Sequence, residues 1–343
     1  MINVDDTKTK TILGVQYLRG IAAISVVLCH FGSGIKNYPM LAQIFNAGQN
    51  GVQVFFLISG FIIIFSMNAE NYKTNQFFRF LVKRSIRIDP SYFITIILTI
   101  VVFKCLSMLP SFKGQSIPFI PEQFLAHIFY IVPFTKYPFY NHVFWTLCIE
   151  FQFYLLIGLI YFLNNSSLYK MSFLILFSLT CLIPISNSYY LVFTYAPIFS
   201  LGISLVSLLK KGSVVNYLVP LILLAFILIK FGVLLFVILF ITSIIILTFT
   251  IEIKPLFFLG KISYSLYLTH SLIQIITAGL LKRLFIKPLL NELVALLVEI
   301  IVAILTGYIF YLLIEKPSKI VSKKIKYANN DQTALVINIP VDL

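Results

Sequence analysis

Ten apolar runs of membrane-crossing length recur along this chain, and they exclude most ways of folding it. They lie at roughly 12–32, 50–67, 91–109, 143–163, 171–186, 190–209, 214–229, 232–251, 257–281 and 293–314. A stretch of about 17–25 apolar residues is long enough to cross a bilayer as a helix. Runs of this length and number mark membrane spans, so the expected fold is all-α. It is a polytopic transmembrane helical bundle of about ten spans. The breaks at Pro184–Ser188 and Lys230–Gly232 read either as kinks or as turns. Of the 343 residues, 59% are hydrophobic and 11% charged, with a mean hydropathy of +0.97. No soluble domain of that length has such a composition. Three regions follow: a polar N-terminus over 1–11, a membrane domain over 12–316, and a basic, then polar, tail over 317–343.

A net charge of +14 invites a nucleic-acid partner. In a membrane protein the positive-inside rule is the better account, so no nucleic acid is expected, and the basic loops meet membrane lipids instead. With the N-terminus inside, eighteen of the 26 Lys and Arg fall on the cytoplasmic side and eight on the other. That asymmetry predicts both termini in the cytoplasm and a multi-pass protein of the cytoplasmic (inner) membrane. The first ten residues, MINVDDTKTK, are polar, so no cleavable signal peptide is expected. Cys29, Cys105, Cys148 and Cys181 sit in or beside apolar spans without paired or metal-type spacing and read as buried thiols. No metal ligand set is visible.

Ionisable groups inside such spans are the candidates for chemistry, because they are costly there. Arg19 and His30 share the first span. Eleven residues is close to three helical turns, so both lie on nearly one face, about 16 Å apart along the axis. The bland alternative is a snorkelling arginine and a histidine bonded to a neighbouring helix. Arg84 and Arg87, three apart, project from one face of a basic cytoplasmic stretch, and paired guanidinium forks suit phosphate. Anionic lipid headgroups would satisfy the same pair. Pro90 reads as the start of the third span. Ser59–Gly60 would let another helix approach closely.

The outer segment 110–142 is rich in proline and aromatics, which suit sugar rings and the membrane interface alike; His127 and Glu122 there read as surface or interface groups. Trp145 lies near the outer interface, and Glu150, with Gln152 and Tyr154 nearby, lies about two turns into the fourth span. Glu150 and His30, at similar depth on different helices, suit a pair in which the carboxylate orients the imidazole. An isolated interhelical hydrogen bond is the plainer alternative. In the ninth span Ser263, Tyr267 and His270 share a face, which should line a wet cavity or meet a polar partner. Glu299 reads as a structural carboxylate, and Pro317 as the end of the last helix.

In this order the stretches resemble the acyltransferase 3 family of integral membrane acyltransferases, over about 12–320. Arg19–x10–His30 is similar to the family's first-span signature. GVQVFFLISGF (51–61) is similar to its Phe-Phe-x-x-Ser-Gly-Phe element, and Arg84-x-x-Arg87 to its Arg-x-x-Arg motif. WTLCIEFQFY (145–154), YSLYLTH (264–270) and Glu315-Lys316-Pro317 are similar to three later elements. The family often has two adjacent acidic residues where this chain has Glu150-Phe151. Some members carry a further hydrolase-like domain after the tenth span, for which this chain ends too early.

The resemblance implies an O-acyltransferase, usually of acetyl groups. Its donor substrate is cytoplasmic acyl-CoA, typically acetyl-CoA, with no bound cofactor. Its acceptor is a hydroxyl of a surface glycan or lipid-linked glycan of the O-antigen kind. On this reading His30 is the general base, or the site of a transient acyl group, and Glu150 orients it. Arg19, Arg84 and Arg87 hold the donor's phosphates. Ser59, Trp145, Tyr154, Tyr267 and His270 line the cavity. A lipid-linked glycan flippase or transporter is the alternative that the spans and aromatic loops also suit.

Overall fold

A computed structural model describes residues 4–32, 35–108, 118–161, 167–185, 188–209, 214–284 and 290–327. The start of the proline-rich segment (110–117), the tail beyond 327, and the loop cations Lys113, Lys210, Lys211 and Lys287 lie outside these. Among the described residues the fold is helical throughout. The helices are α1 (Val4–Gly32), α2 (Pro39–Asn46), α3 (Gly51–Ala69), α4 (Phe77–Ser107), α5 (Pro121–Ile128), α6 (Trp145–Ile160) and α7 (Ser167–Leu179). They continue as α8 (Ala196–Leu208), α9 (Val215–Phe231), α10 (Val233–Thr248), α11 (Lys254–Leu284), α12 (Leu290–Phe310) and α13 (Lys316–Lys323). A helix occupies each of the ten apolar runs. By length and composition, Leu13–Gly32, Pro39–Ala69, Thr74–Ser107, His142–Ile160 and Glu292–Lys323 can cross a membrane, and four shorter apolar helices lie between Tyr169 and Thr248.

Two prolines do not act as expected. Pro90 sits inside α4, so the basic stretch carrying Arg84 and Arg87 and the third span are one helix of 31 residues. Proline's missing N–H frees the carbonyl one turn earlier, at Ile86, which a helix tolerates where its neighbours hold it. Pro317 does not end the last helix either. The chain passes through a π-helical turn, Tyr311–Glu315, and continues as α13 with Pro317 in its first turn. There a missing N–H matters least. Ser318, Lys319 and Ser322 of α13 are buried, and the Ser322 hydroxyl donates to the Lys83 carbonyl of α4 at 2.8 Å. The packed body therefore extends beyond residue 316, to Tyr327, whose carbonyl accepts from Gln76 and Arg79. The break at Gly232 is real: its φ of 88° lies where glycine is favoured, and it separates α9 from α10.

Close packing sets the geometry. α1 runs against α11, where a Cβ on Gly260 would meet the Gln16 carbonyl oxygen at 2.0 Å and one on Gly20 the Gly260 nitrogen at 2.7 Å. α3 runs against α8, where a Cβ on Gly60 would lie 2.3 Å from the Phe199 carbonyl oxygen. The close approach expected at Ser59–Gly60 is thus present. Small residues allow such contact where lipid supplies no hydrophobic drive for helices to associate.

Of the cysteines, only Cys148 is buried, and Cys105 is exposed on α4. An apolar helix in lipid has no need to bury a thiol. His127, expected at the surface, is fully buried, whereas Glu122 is exposed. His127 Nδ1 bonds the Gln123 carbonyl at 2.8 Å and its Nε2 receives the Tyr140 N–H at 3.1 Å. It therefore ties α5 to the chain entering α6.

Candidate active site

A cavity of about 100 Å³ lies where α1, α3, α4, α6, α11 and the π-helical turn meet. Arg19 reaches it from α1, and Arg84 and Arg87 from α4. Their i, i+3 spacing places the last two on one face, as expected. Two carboxylates face them: Glu150 from α6 and Glu315 from the π-helical turn. Phe55, Phe56, Ile62 and Ile63 of α3 supply an apolar wall. Such an arrangement can hold an anion beside an apolar chain, since buried charges persist only where opposite charges or hydrogen bonds compensate them.

Each charged group is held by its neighbours. Glu150 Oε1 accepts from the Ser59 hydroxyl at 3.0 Å and the Tyr154 hydroxyl at 2.5 Å. Arg84, nearly fully buried, donates through one terminal nitrogen to Ser66 Oγ at 2.8 Å. Its guanidinium lies 5.6 Å from the Phe80 ring centroid and 5.8 Å from that of Tyr154, in cation–π range. Its Nε is buried without a hydrogen-bond partner. Glu315 Oε2 accepts from the backbone N–H and hydroxyl of Ser265. Lys319 Nζ lies 2.9 Å from Glu315 Oε1, an ion pair by distance whose direction does not make a hydrogen bond. The Tyr264 hydroxyl donates to the Ile88 carbonyl at 3.0 Å, joining α11 to α4 just before Pro90.

Two histidines meet beside the cavity. The rings of His30 on α1 and His270 on α11 have centroids 5.0 Å apart at an interplanar angle of 52°. Gln274 of α11 donates to the His30 carbonyl at 2.6 Å and fixes the backbone there. Tyr267 connects this pair to the cavity. It lines the cavity wall, packs its ring 5.7 Å from that of His270, and shares a 2.9 Å hydroxyl–hydroxyl bond with Thr146.

Seven of the residues singled out in the sequence thus line one cavity: Arg19, Ser59, Arg84, Arg87, Glu150, Tyr154 and Tyr267. His30, Trp145 and His270 are not part of its lining. Trp145 packs behind Phe56 and beside Tyr189 and Tyr195, with the Tyr189 ring 4.7 Å away. Glu150, expected to orient His30, bonds Ser59 and Tyr154, while His30 lies against His270. Sequence reasoning missed Glu315, Tyr264 and Thr146 as lining groups. Glu315 carried a signal: it is a carboxylate closing a long apolar run. Only the π-helical turn directs it inward.

A family model described as an acyltransferase domain matches residues 12–312. No curated protein and no solved structure matches the chain.

Proposed function

Because the chain belongs to the acyltransferase 3 family, whose members move acyl groups, we propose that this membrane acyltransferase transfers an acetyl group from cytoplasmic acetyl-CoA to a hydroxyl of a surface polysaccharide or its lipid-linked precursor. One observation carries the donor half: three guanidinium groups from two helices face a single cavity. Guanidinium forks bind phosphate oxygens in pairs, and coenzyme A presents three phosphates close together. The apolar wall from α3 suits the pantetheine arm.

His30 is the base in this reading. It takes the proton of the acceptor hydroxyl as the oxygen attacks the thioester carbonyl. A C–O bond forms, the C–S bond breaks, and the departing thiolate receives the proton back from the imidazolium. The products are the O-acetyl ester and free coenzyme A. Arg19 lies on the same helix as His30, so α1 joins donor recognition to the transfer step.

The test is mass spectrometry of the host's surface glycan with and without this gene, together with His30→Ala. Loss of O-acetyl groups from an otherwise intact glycan is the expected result. Unchanged acyl content overturns the proposal, and loss of the glycan itself indicates transport instead.

A further inference from the structure

His270 is fully buried, and its two ring nitrogens are not alike. Nδ1 lies 2.6 Å from the Tyr267 carbonyl oxygen. A carbonyl only accepts, so Nδ1 carries the proton, and in the neutral ring Nε2 is left with a lone pair. That Nε2 is buried without a hydrogen-bond partner. Such an acceptor is rare in a packed interior and calls for an explanation. Of the rings packed on His270, that of His30 is nearer, at a centroid separation of 5.0 Å, than those of Tyr267 at 5.7 Å and Phe31 at 6.4 Å. Two imidazoles bonded nitrogen to nitrogen at about 3 Å have centroids about 5 Å apart. The centroid spacing therefore matches that of such a bond, with the rings tilted at 52° to each other.

We propose that His270 is a positioning residue for the proposed base: its Nε2 accepts an N–H from His30, fixing the His30 tautomer so that the other ring nitrogen keeps its lone pair for the acceptor hydroxyl. The inference rests on the reading of His30 as base. His270 does the orienting that a carboxylate does in many acid–base sites, without adding a negative charge. Glu150 then remains at the cavity wall, hydrogen-bonded to Ser59 and Tyr154. His30 is only partly buried, so the substrate hydroxyl can reach it while His270 stays sealed behind. Gln274 at the His30 carbonyl and Gly260 at the α1–α11 crossing hold the two helices at the separation the bond requires.

The chain has four histidines, so ¹⁵N-histidine NMR of the full-length protein in detergent resolves each tautomer. The expected result is one tautomer for His30 in the native protein and a mixture in His270→Leu. Turnover should fall roughly 10²-fold, the scale of a general-base contribution, with KM for acetyl-CoA nearly unchanged. His270→Gln, whose amide oxygen can take the place of Nε2, should restore the single tautomer and part of the rate. If His270→Leu does not fold, His270→Asn serves, since it places no acceptor at the Nε2 position. An unchanged His30 tautomer in the variants lacking the acceptor overturns the inference, as does a loss confined to KM. Should His30→Ala keep its turnover, the base assignment itself fails; should only the tautomer result fail, the base stands and His270 is structural.

Discussion

The Tyr154 hydroxyl donates to Oε1 of Glu150 at 2.5 Å, one helical turn away on α6. Ser59 of α3 donates to the same oxygen, so two helices share one carboxylate at the cavity wall. Hydrogen bonds to a charged group contribute roughly 1.5–3 kcal/mol when buried. Tyr154→Phe and Ser59→Ala should each lower the thermal stability of the detergent-solubilised protein. Because both act on one atom, the double variant should fall short of the sum. Strict additivity would show that the two bonds are independent of each other.

Arg84→Lys and Arg87→Lys keep the charge and lose the fork. Each should raise KM for acetyl-CoA about tenfold, equivalent to about 1.4 kcal/mol, with a smaller effect on kcat. An acetyl-pantetheine donor lacks the nucleotide phosphates and should be indifferent to either change. Equal losses with both donors would mean the arginines act elsewhere.

Glu315 and Lys319 are both buried, with Lys319 Nζ 2.9 Å from Glu315 Oε1. Removing Glu315 deprives the buried Lys319 of this carboxylate, at a cost of about 3–5 kcal/mol. Glu315→Gln should therefore destabilise the protein strongly, and Glu315→Gln combined with Lys319→Met should recover much of the loss. Thermal unfolding of the three variants measures this, and a double variant no better than the single would refute the pairing.

Gly260→Ala would place a methyl 2.0 Å from the Gln16 carbonyl oxygen and force α1 from α11. Overpacking of this kind costs about 1–3 kcal/mol, and because it separates His30 from His270, activity should fall further than stability. Gly232→Ala meets no atom within 4 Å but sits at φ 88°. Its effect, about 1–3 kcal/mol, should come from the backbone alone and leave turnover intact.

His127 lies in the connection between α4 and α6. Burial lowers its imidazole from the ordinary 6.5 to about 4, against a smaller upward pull from the Gln123 carbonyl. Between those values the unfolded chain binds a proton that the folded one refuses. The stabilisation is therefore complete above about pH 6.5 and is lost as the pH falls toward 4, at up to about 1.4 kcal/mol per unit. Melting curves of wild type and His127→Gln across this range should converge at the acid end. Parallel curves would count against the assignment.

Much of the site was legible from spacing alone. Arg84 and Arg87 fall on one face because their separation is under one turn, and Ser59–Gly60 marks a close helix crossing because glycine lacks a Cβ. His127 misled because a polar residue among prolines reads as surface, whereas its two ring nitrogens each find a backbone partner inside. Pro90 and Pro317 misled because proline ends helices in water more reliably than where packed helices surround it.

The sequence by itself determined the all-helical class, since runs of apolar residues leave the backbone no other partner in lipid, and it determined which ionisable residues occupy those runs. Only the tertiary structure decided their companions. Glu150 meets Tyr154 and Ser59, Glu315 turns inward on a π-helical turn, and His30 faces His270, because these contacts join residues 4 to 240 positions apart. A one-dimensional pattern states which side of a helix a residue occupies, and helix packing, set here at Gly20, Gly60 and Gly260, states what it faces.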